Sequence, residues 1–280
     1  MKVQFSKMHG LGNDYVYVNC LEQRIKHPNE LSKLVSDRHF GIGSDGLVLI
    51  YPSDKADFEM RMFNADGSEG NMCGNAIRCV GKYVFDNKLT DKTELDIDTK
   101  SGIKHLHLIV EDGKACAAEV KMGDAVLRAR SIPVETDYEE FISQPMVVHG
   151  ETFLVTCVSM GNPHAVIFCQ DVDNMPLNII GPLFENHEIF PERINTEFVQ
   201  LIDRNTIKMR VWERGSGETF ACGTGACASV VAAVLNDHCD LGSEVTVRLK
   251  GGDLKITYLE NHSVLMKGPA THVFDGIIEI

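Results

Sequence analysis

The chain predicts an α+β fold of two related lobes, and three observations carry that reading. The sequence repeats itself at 149 positions, the separation of Cys73 from Cys222: Cys73-Gly74 falls on Cys222-Gly223, and the match runs upstream without a gap. Gly12-Asn13 falls on Gly161-Asn162, Met60-Arg61 on Met209-Arg210, Phe63 on Trp212, Asn64 on Glu213 and Glu69 on Glu218. Each Cys-Gly pair also opens one long apolar stretch of helical character. Around these two stretches lie short segments of strand character, which places a sheet around a helix in each lobe.

Taken in order, Met1 to Val18 alternates as a strand and carries Lys2, Lys7, His9 and Asp14. Asn29 is placed to cap a short helix with Leu31, Leu34 and Val35 at helical spacing, ending near Gly41. Leu47 to Tyr51 reads as a buried strand and Phe58 to Phe63 as another, followed by a polar, glycine-rich loop over residues 64–71. Asn75 to Phe85 and its repeat partner Thr224 to Leu235 are the two helices. The second is apolar almost all round, so it is expected to be buried as the axis of its lobe. Further strands are expected at Glu94–Asp98, Leu106–Val110, Phe153–Val158, Ala165–Phe168, Glu244–Leu249 and Leu254–Leu259.

Composition narrows the function class. At 280 residues, with 44% hydrophobic and 24% charged positions, the chain can bury a sizeable core in two domains. Its 27 Lys and Arg against 40 Asp and Glu leave a formal charge of −13, and no basic block or aromatic stripe is present to neutralise a phosphate backbone. Nucleic acid is therefore not an expected partner. The N-terminus lacks a signal-peptide core and no apolar run is long enough to span a bilayer, so no membrane association and a cytoplasmic location are expected. Nine cysteines, an odd number scattered through a chain this large, do not form a disulfide scaffold. Cys73 with Cys79 and Cys222 with Cys227 lack zinc spacing and an accompanying His pair, so no metal site is expected. Cys79 and Cys227 read as buried small hydrophobes.

Cys73 and Cys222 differ from the rest because each stands at a helix start. The first amides of a helix have no partner within it and the macrodipole adds positive charge, so a thiolate is favoured there and its pKa is expected to fall. The amides of Gly74-Asn75 and Gly223-Thr224 are equally suited to a carboxylate. A thiolate that removes the α-hydrogen of an amino acid from one side, with a thiol returning a proton from the other, inverts configuration, and the amides stabilise the charge that builds on the carboxylate. The repeat supplies such a pair.

The motifs Phe5-Ser6-Lys7-Met8-His9-Gly10-Leu11-Gly12-Asn13-Asp14-Tyr15, Gly41-Ile42-Gly43-Ser44-Asp45-Gly46, Asn64-Ala65-Asp66-Gly67-Ser68 and Met72-Cys73-Gly74-Asn75-Ala76-Ile77-Arg78-Cys79 are joined by Gly161-Asn162-Pro163-His164. Arg193-Ile194-Asn195-Thr196-Glu197, Glu213-Arg214-Gly215 and Ala221-Cys222-Gly223-Thr224-Gly225 complete the set. In these, end to end, the chain resembles the diaminopimelate epimerases, pyridoxal-independent enzymes of lysine and peptidoglycan precursor synthesis.

The resemblance implies two pseudo-twofold lobes, residues 1–119 plus 265–280 and residues 120–264, each a curved mixed sheet around a central helix, with the active site in the cleft between them. It implies Cys73 and Cys222 as the catalytic pair. Substrate contacts are implied at Asn13, Asn64, Gly74, Asn75, Asn162, Asn195, Glu213, Arg214, Gly223 and Thr224, and tuning of the thiols at His164 and Glu213. The planar, always-charged fork of Arg214 suits the second carboxylate of such a substrate. No pyridoxal phosphate or other cofactor is expected, and the candidate partners are an amino acid and a second copy of the chain. Gly46 falls opposite Asn195 in the repeat, where some relatives carry Gln, which removes one polar contact. Racemisation of another amino acid such as histidine is the first alternative. Amino-acid binding without catalysis and thiol redox chemistry are the others, and redox chemistry is disfavoured by the absence of a CxxC pair.

Overall fold

The computed structural model describes residues 2–280, and every structural statement below concerns them. The chain divides into two compact units: one runs to Lys121 and resumes at Lys267–Ile280, and the other is Met122–Met266. The first holds β1 (Lys2–Gly10), β2 (Asn13–Asn19), α1 (Pro28–Ser36), β3 (Gly46–Tyr51), β4 (Phe58–Asn64), β5 (Glu69–Gly70), α2 (Gly74–Asp86), β6 (Glu94–Asp98) and β7 (Lys104–Glu111). β8 (Lys114–Asp124) leads out of it. The second holds β9 (Gln144–Val148), β10 (Glu151–Ser159), β11 (Pro163–Phe168), α3 (Leu177–Glu185), β12 (Asn195–Asp203), β13 (Thr206–Glu213), β14 (Gly217–Glu218), α4 (Gly223–Leu235), β15 (Glu244–Leu249) and β16 (Gly252–Tyr258). β17 (Ser263–Pro269) leads back, and β18 (Thr271–Glu279) closes the first unit.

The repeat in sequence is a repeat in structure. β1, α1 and α2 map onto β10, α3 and α4 at the same 149-residue offset, end for end. Strand order agrees as well. In the first unit it is β18-β1-β2-β3-β4-β6-β7-β8, antiparallel except for the parallel pairs β2–β3 and β4–β6. In the second it is β9-β10-β11-β12-β13-β15-β16, with parallel pairs at the equivalent β11–β12 and β13–β15. The α+β class is therefore the class observed.

Packing explains where the two special helices sit. α4 touches strands from β10 through β16 that are far apart in sheet order, which requires the sheet to curve around it. Its residues Ala226 to Ala233 are all buried, and each large apolar side chain so buried contributes about 1.5–3 kcal/mol before entropy is counted. α2 is amphipathic instead, and Gly81 lets it approach β7: a methyl there would stand 2.8 Å from Leu108 and 3.1 Å from Leu106. The other helices cover the outer side. Leu31 and Val35 of α1 pack with Val16, Val18, Leu47, Leu49 and Phe63; Leu177 and Phe184 of α3 pack with Val155, Ala165, Ile167 and Phe198.

Several local expectations are corrected. The N-terminal segment is not one strand but a hairpin, because Leu11 and Gly12 both take left-handed backbone (φ 57° and 83°) between β1 and β2. α1 begins at Pro28 rather than behind an Asn29 cap and ends at Ser36; proline is preorganised for the first helical position, and Asn29 instead donates to the Gly67 carbonyl at 2.8 Å. Leu34 faces solvent. α3 is not among the elements read from the sequence, and Gly181 and Pro182 are both weak helix formers. Proline lies inside the helix, and Gly181 is needed because a methyl there would come within 2.5 Å of the Trp212 ring.

Candidate active site

Cys73 occupies the N-cap of α2 with extended backbone (φ −133°, ψ 122°), and Cys222 occupies the N-cap of α4 in the same way (φ −119°, ψ 110°). Each is delivered by a strand, a tight glycine turn and a two-residue strand: β4 and β5 before Cys73, β13 and β14 before Cys222. The helix-start residues Gly74, Asn75 and Gly223 are buried, and Thr224 is half-buried.

Around Cys73 the structure gathers neutral polar groups and one cation. The Asn13 carbonyl oxygen lies 3.3 Å from the Cys73 sulfur and 3.3 Å from Asn75 Nδ2, while its own amide donates to Asp45 at 2.8 Å. Asn13 is thus a brace between the loop before β3 and the helix start. Arg78 lies fully buried beneath that start, donating to the Gly74 carbonyl at 3.0 Å and to Asn75 Oδ1 at 2.9 Å. Burial pushes the Cys73 thiol up. The amides of Ala76 and Asn75, the Arg78 charge and the Tyr15 hydroxyl offset only part of that.

Around Cys222 the gathering is acidic. The Gly225 amide donates to the sulfur at 3.4 Å and the Thr224 hydroxyl lies 3.5 Å from it. Burial first, then the charges of Glu213 and Glu197, push this thiol well above its ordinary value. Glu213 is itself raised by burial, against hydrogen bonds from Thr219 and Cys222. His164, fully buried, sets Nδ1 at 2.7 Å from Glu197 Oε1 and Nε2 at 3.0 Å from Asn162 Oδ1, and Glu197 Oε2 has no hydrogen-bond partner. The expectation that helix-start amides lower the thiols is not met: desolvation of a buried sulfur outweighs a few oriented dipoles.

The remaining candidates fall into two groups. Arg214 is half-buried, donates one bond to the Glu192 carbonyl at 2.8 Å, and has no carboxylate partner among the described residues, so its charge is available to an anion. Asn64 is exposed at the end of β4 and donates to Ser68 at 2.9 Å; Glu213, its repeat partner, instead accepts from the Thr219 hydroxyl. Asn195 is turned to the backbone: it donates to the Pro163 carbonyl at 2.8 Å and accepts from the Arg214 amide at 2.9 Å. It holds Arg214 in place from within the strand. Gly46 is not merely a missing side chain, because a methyl there would stand 2.1 Å from the Phe63 carbonyl oxygen and 2.9 Å from the Tyr15 ring.

Sequence reasoning passed over Arg78, Asp45 and Glu197 as individual residues, although all three lie in the motifs. One signal was present: Arg78 is the sole charge in the first two turns of α2, and its repeat partner is Cys227. Among the described residues, no three His, Cys, Asp or Glu side chains come together as a metal-binding group, and no helix is long and apolar enough to cross a membrane. A cavity of about 240 Å³ between α2 and the chain near His272 involves none of the candidate residues.

Comparison with known proteins gives the same direction. A sequence model of the family described as Diaminopimelate epimerase matches residues 5–128 and 156–273. The diaminopimelate epimerase of Acetivibrio thermocellus is 59% identical over 279 residues, covering 99% of both chains. That of Methanococcus maripaludis strain S2 is 57% identical over 279 residues, covering 99% of this chain and 100% of the relative. In fold, the chain is similar to a phenazine biosynthesis protein of the PhzF family from Bacillus anthracis, with a TM-score of 0.72, 15% identity and full coverage of both.

Proposed function

Because the chain belongs to the diaminopimelate epimerase family, we propose that it interconverts LL- and meso-2,6-diaminopimelate by moving a proton between two thiols. The observation that carries this reading is the equivalence of Cys73 and Cys222: both cap helices of the same length at the repeat offset, with backbone in the same conformation. A base and an acid on separate elements are what inversion at one carbon needs. One thiolate takes the α-proton from one face of the substrate, and the other thiol returns a proton to the opposite face. The roles exchange in the reverse direction.

The supporting groups divide the remaining work. The amides of Gly74-Asn75 and Gly223-Thr224 receive the reacting carboxylate, where negative charge grows in the transition state. Arg214 receives the distal carboxylate as a planar fork, held from behind by Asn195, and Asn64 and Asn162 offer side-chain amides to the substrate's polar ends. His164 and Glu213 set the electrostatic surroundings of Cys222, and Asn13 those of Cys73. Proton transfer between thiols balances without a cofactor, so none is proposed. The substrate is a small amino acid used in precursor synthesis, which fits work in the cytosol, as a single chain or with a second copy.

The test is direct. Purified protein incubated with LL-diaminopimelate is expected to yield the meso isomer by chiral chromatography, approaching one equilibrium ratio from either side. Retention of the LL isomer, with turnover of histidine or another amino acid instead, would reassign the substrate. Retention of every amino acid tried would leave only binding.

A further inference from the structure

The two thiols stand in equivalent places, but what lies beneath them differs in sign. Under Cys73 the buried Arg78 guanidinium is fixed by the Gly74 carbonyl, Asn75 Oδ1 and, at 3.2 Å, the Pro269 carbonyl. The end of β1 is shaped to admit it: a methyl on Gly10 would stand 2.9 Å from Arg78 Nη2 and 3.0 Å from the Asn75 Cβ. In the second unit the equivalent position is Cys227, fully buried and uncharged. There, the positions of Val48 and Asn64 are taken by Glu197 and Glu213. We infer that Arg78 is a positioning residue for Cys73: it pins the first turn of α2 and puts a fixed positive charge behind that sulfur, so that Cys73 is the more acidic of the two thiols.

The other groups facing Cys73 do not supply this charge. Tyr15 and Tyr17 from β2 and Cys79 from α2 are kept neutral by burial, which lifts both tyrosines well above their ordinary value and Cys79 to about 11. Asp45 reaches the sulfur only through Asn13 and is paired with Arg38, which also holds Asp14. Two helices with similar backbone starts thus acquire opposite surroundings from a few substitutions, and the two thiols of a duplicated site become unequal in acidity. In the proposed epimerisation, on which this assignment rests for its use though not for its measurement, Cys73 is the thiol that gives up its proton more readily.

The experiment is the pH dependence of iodoacetamide alkylation at Cys73 and Cys222 in the full-length protein, read peptide by peptide by mass spectrometry. No turnover is needed, so failure of the epimerase reading would leave the result interpretable. In the unsubstituted protein the Cys73 midpoint is expected below that of Cys222. Arg78→Met is expected to raise the Cys73 midpoint by about one on the pH scale, the usual effect of a close opposite charge, and to leave Cys222 unchanged. Arg78→Lys, which keeps the charge and loses the fork, should raise it less. If Arg78→Met does not melt cooperatively, Arg78→Gln keeps donors for Gly74 and Asn75 without charge and is expected to give the same rise. A Cys73 midpoint at or above that of Cys222 in the unsubstituted protein overturns the inference. So does a folded, uncharged variant whose Cys73 midpoint does not move, or moves together with that of Cys222.

Discussion

The carboxylate of Glu197 presses on the backbone of Gly225, so closely that a methyl at Gly225 would lie 2.5 Å from Glu197 Oε1. Glycine at the third position of α4 is therefore the space in which a buried acid reaches the helix start carrying Cys222. Because that charge raises the thiol, Glu197→Gln is expected to lower the pH at which Cys222 reacts with iodoacetamide. It should also lower Tm, since weakening a buried hydrogen bond to His164 costs about 1–3 kcal/mol. An unchanged Cys222 profile in a folded variant would show that Glu197 only braces the core.

Removing either thiol should stop epimerisation without unfolding the chain. Cys73→Ala and Cys222→Ala each delete a proton carrier, a loss of about 10²–10⁴-fold or more in rate. Serine keeps the volume but not the acidity and should be nearly as damaging. Circular dichroism and chiral chromatography on the same samples separate the two effects, and an undiminished rate in either alanine variant would remove that cysteine from the chemistry.

Arg214→Met is expected to raise KM and lower kcat for diaminopimelate, because binding a remote carboxylate helps position the reacting carbon. Its guanidinium makes one backbone bond and no ion pair among the described residues, so Tm should change by little. Wild-type kinetics would move the distal carboxylate elsewhere.

Alkaline pH should destabilise the fold. Burial raises Cys20, Cys79 and Cys169 from 9.0 to about 11 each. The unfolded chain therefore releases these protons near pH 9 while the folded chain retains them. Stability is full below pH 9 and is lost between about 9 and 11. Urea midpoints at pH 8 and pH 10 check this, and equal midpoints would contradict it.

Gly46→Ala is expected to cost about 1–3 kcal/mol or more, since the clash is with backbone of β4 that cannot rotate away. The sequence suggested only an absent polar contact here, and the reason it misled is general. Periodicity and an internal repeat show which face of α2 or α4 is apolar and where Cys73 and Cys222 fall, because those follow from local spacing. They do not show close approaches between distant segments, such as Gly46 to Phe63 or Gly181 to Trp212. Nor do they show burial, which reversed the expected direction for both thiols. α3 and the hairpin at Leu11-Gly12 were hidden for a related reason: proline within a helix and left-handed leucine are local penalties that tertiary packing overrides. Arg78 was legible only as an odd charge in a repeat, and the structure shows what it touches.

The central claim is two-thiol proton exchange at the α-carbon, and deuterium incorporation in heavy water tests it most directly. Starting from LL-diaminopimelate, mass spectrometry of early product should show one solvent deuterium at the inverted α-carbon of each meso molecule, with both alanine variants silent in inversion. Meso product formed without solvent deuterium, or no incorporation under any condition in which the substrate binds, would contradict the account.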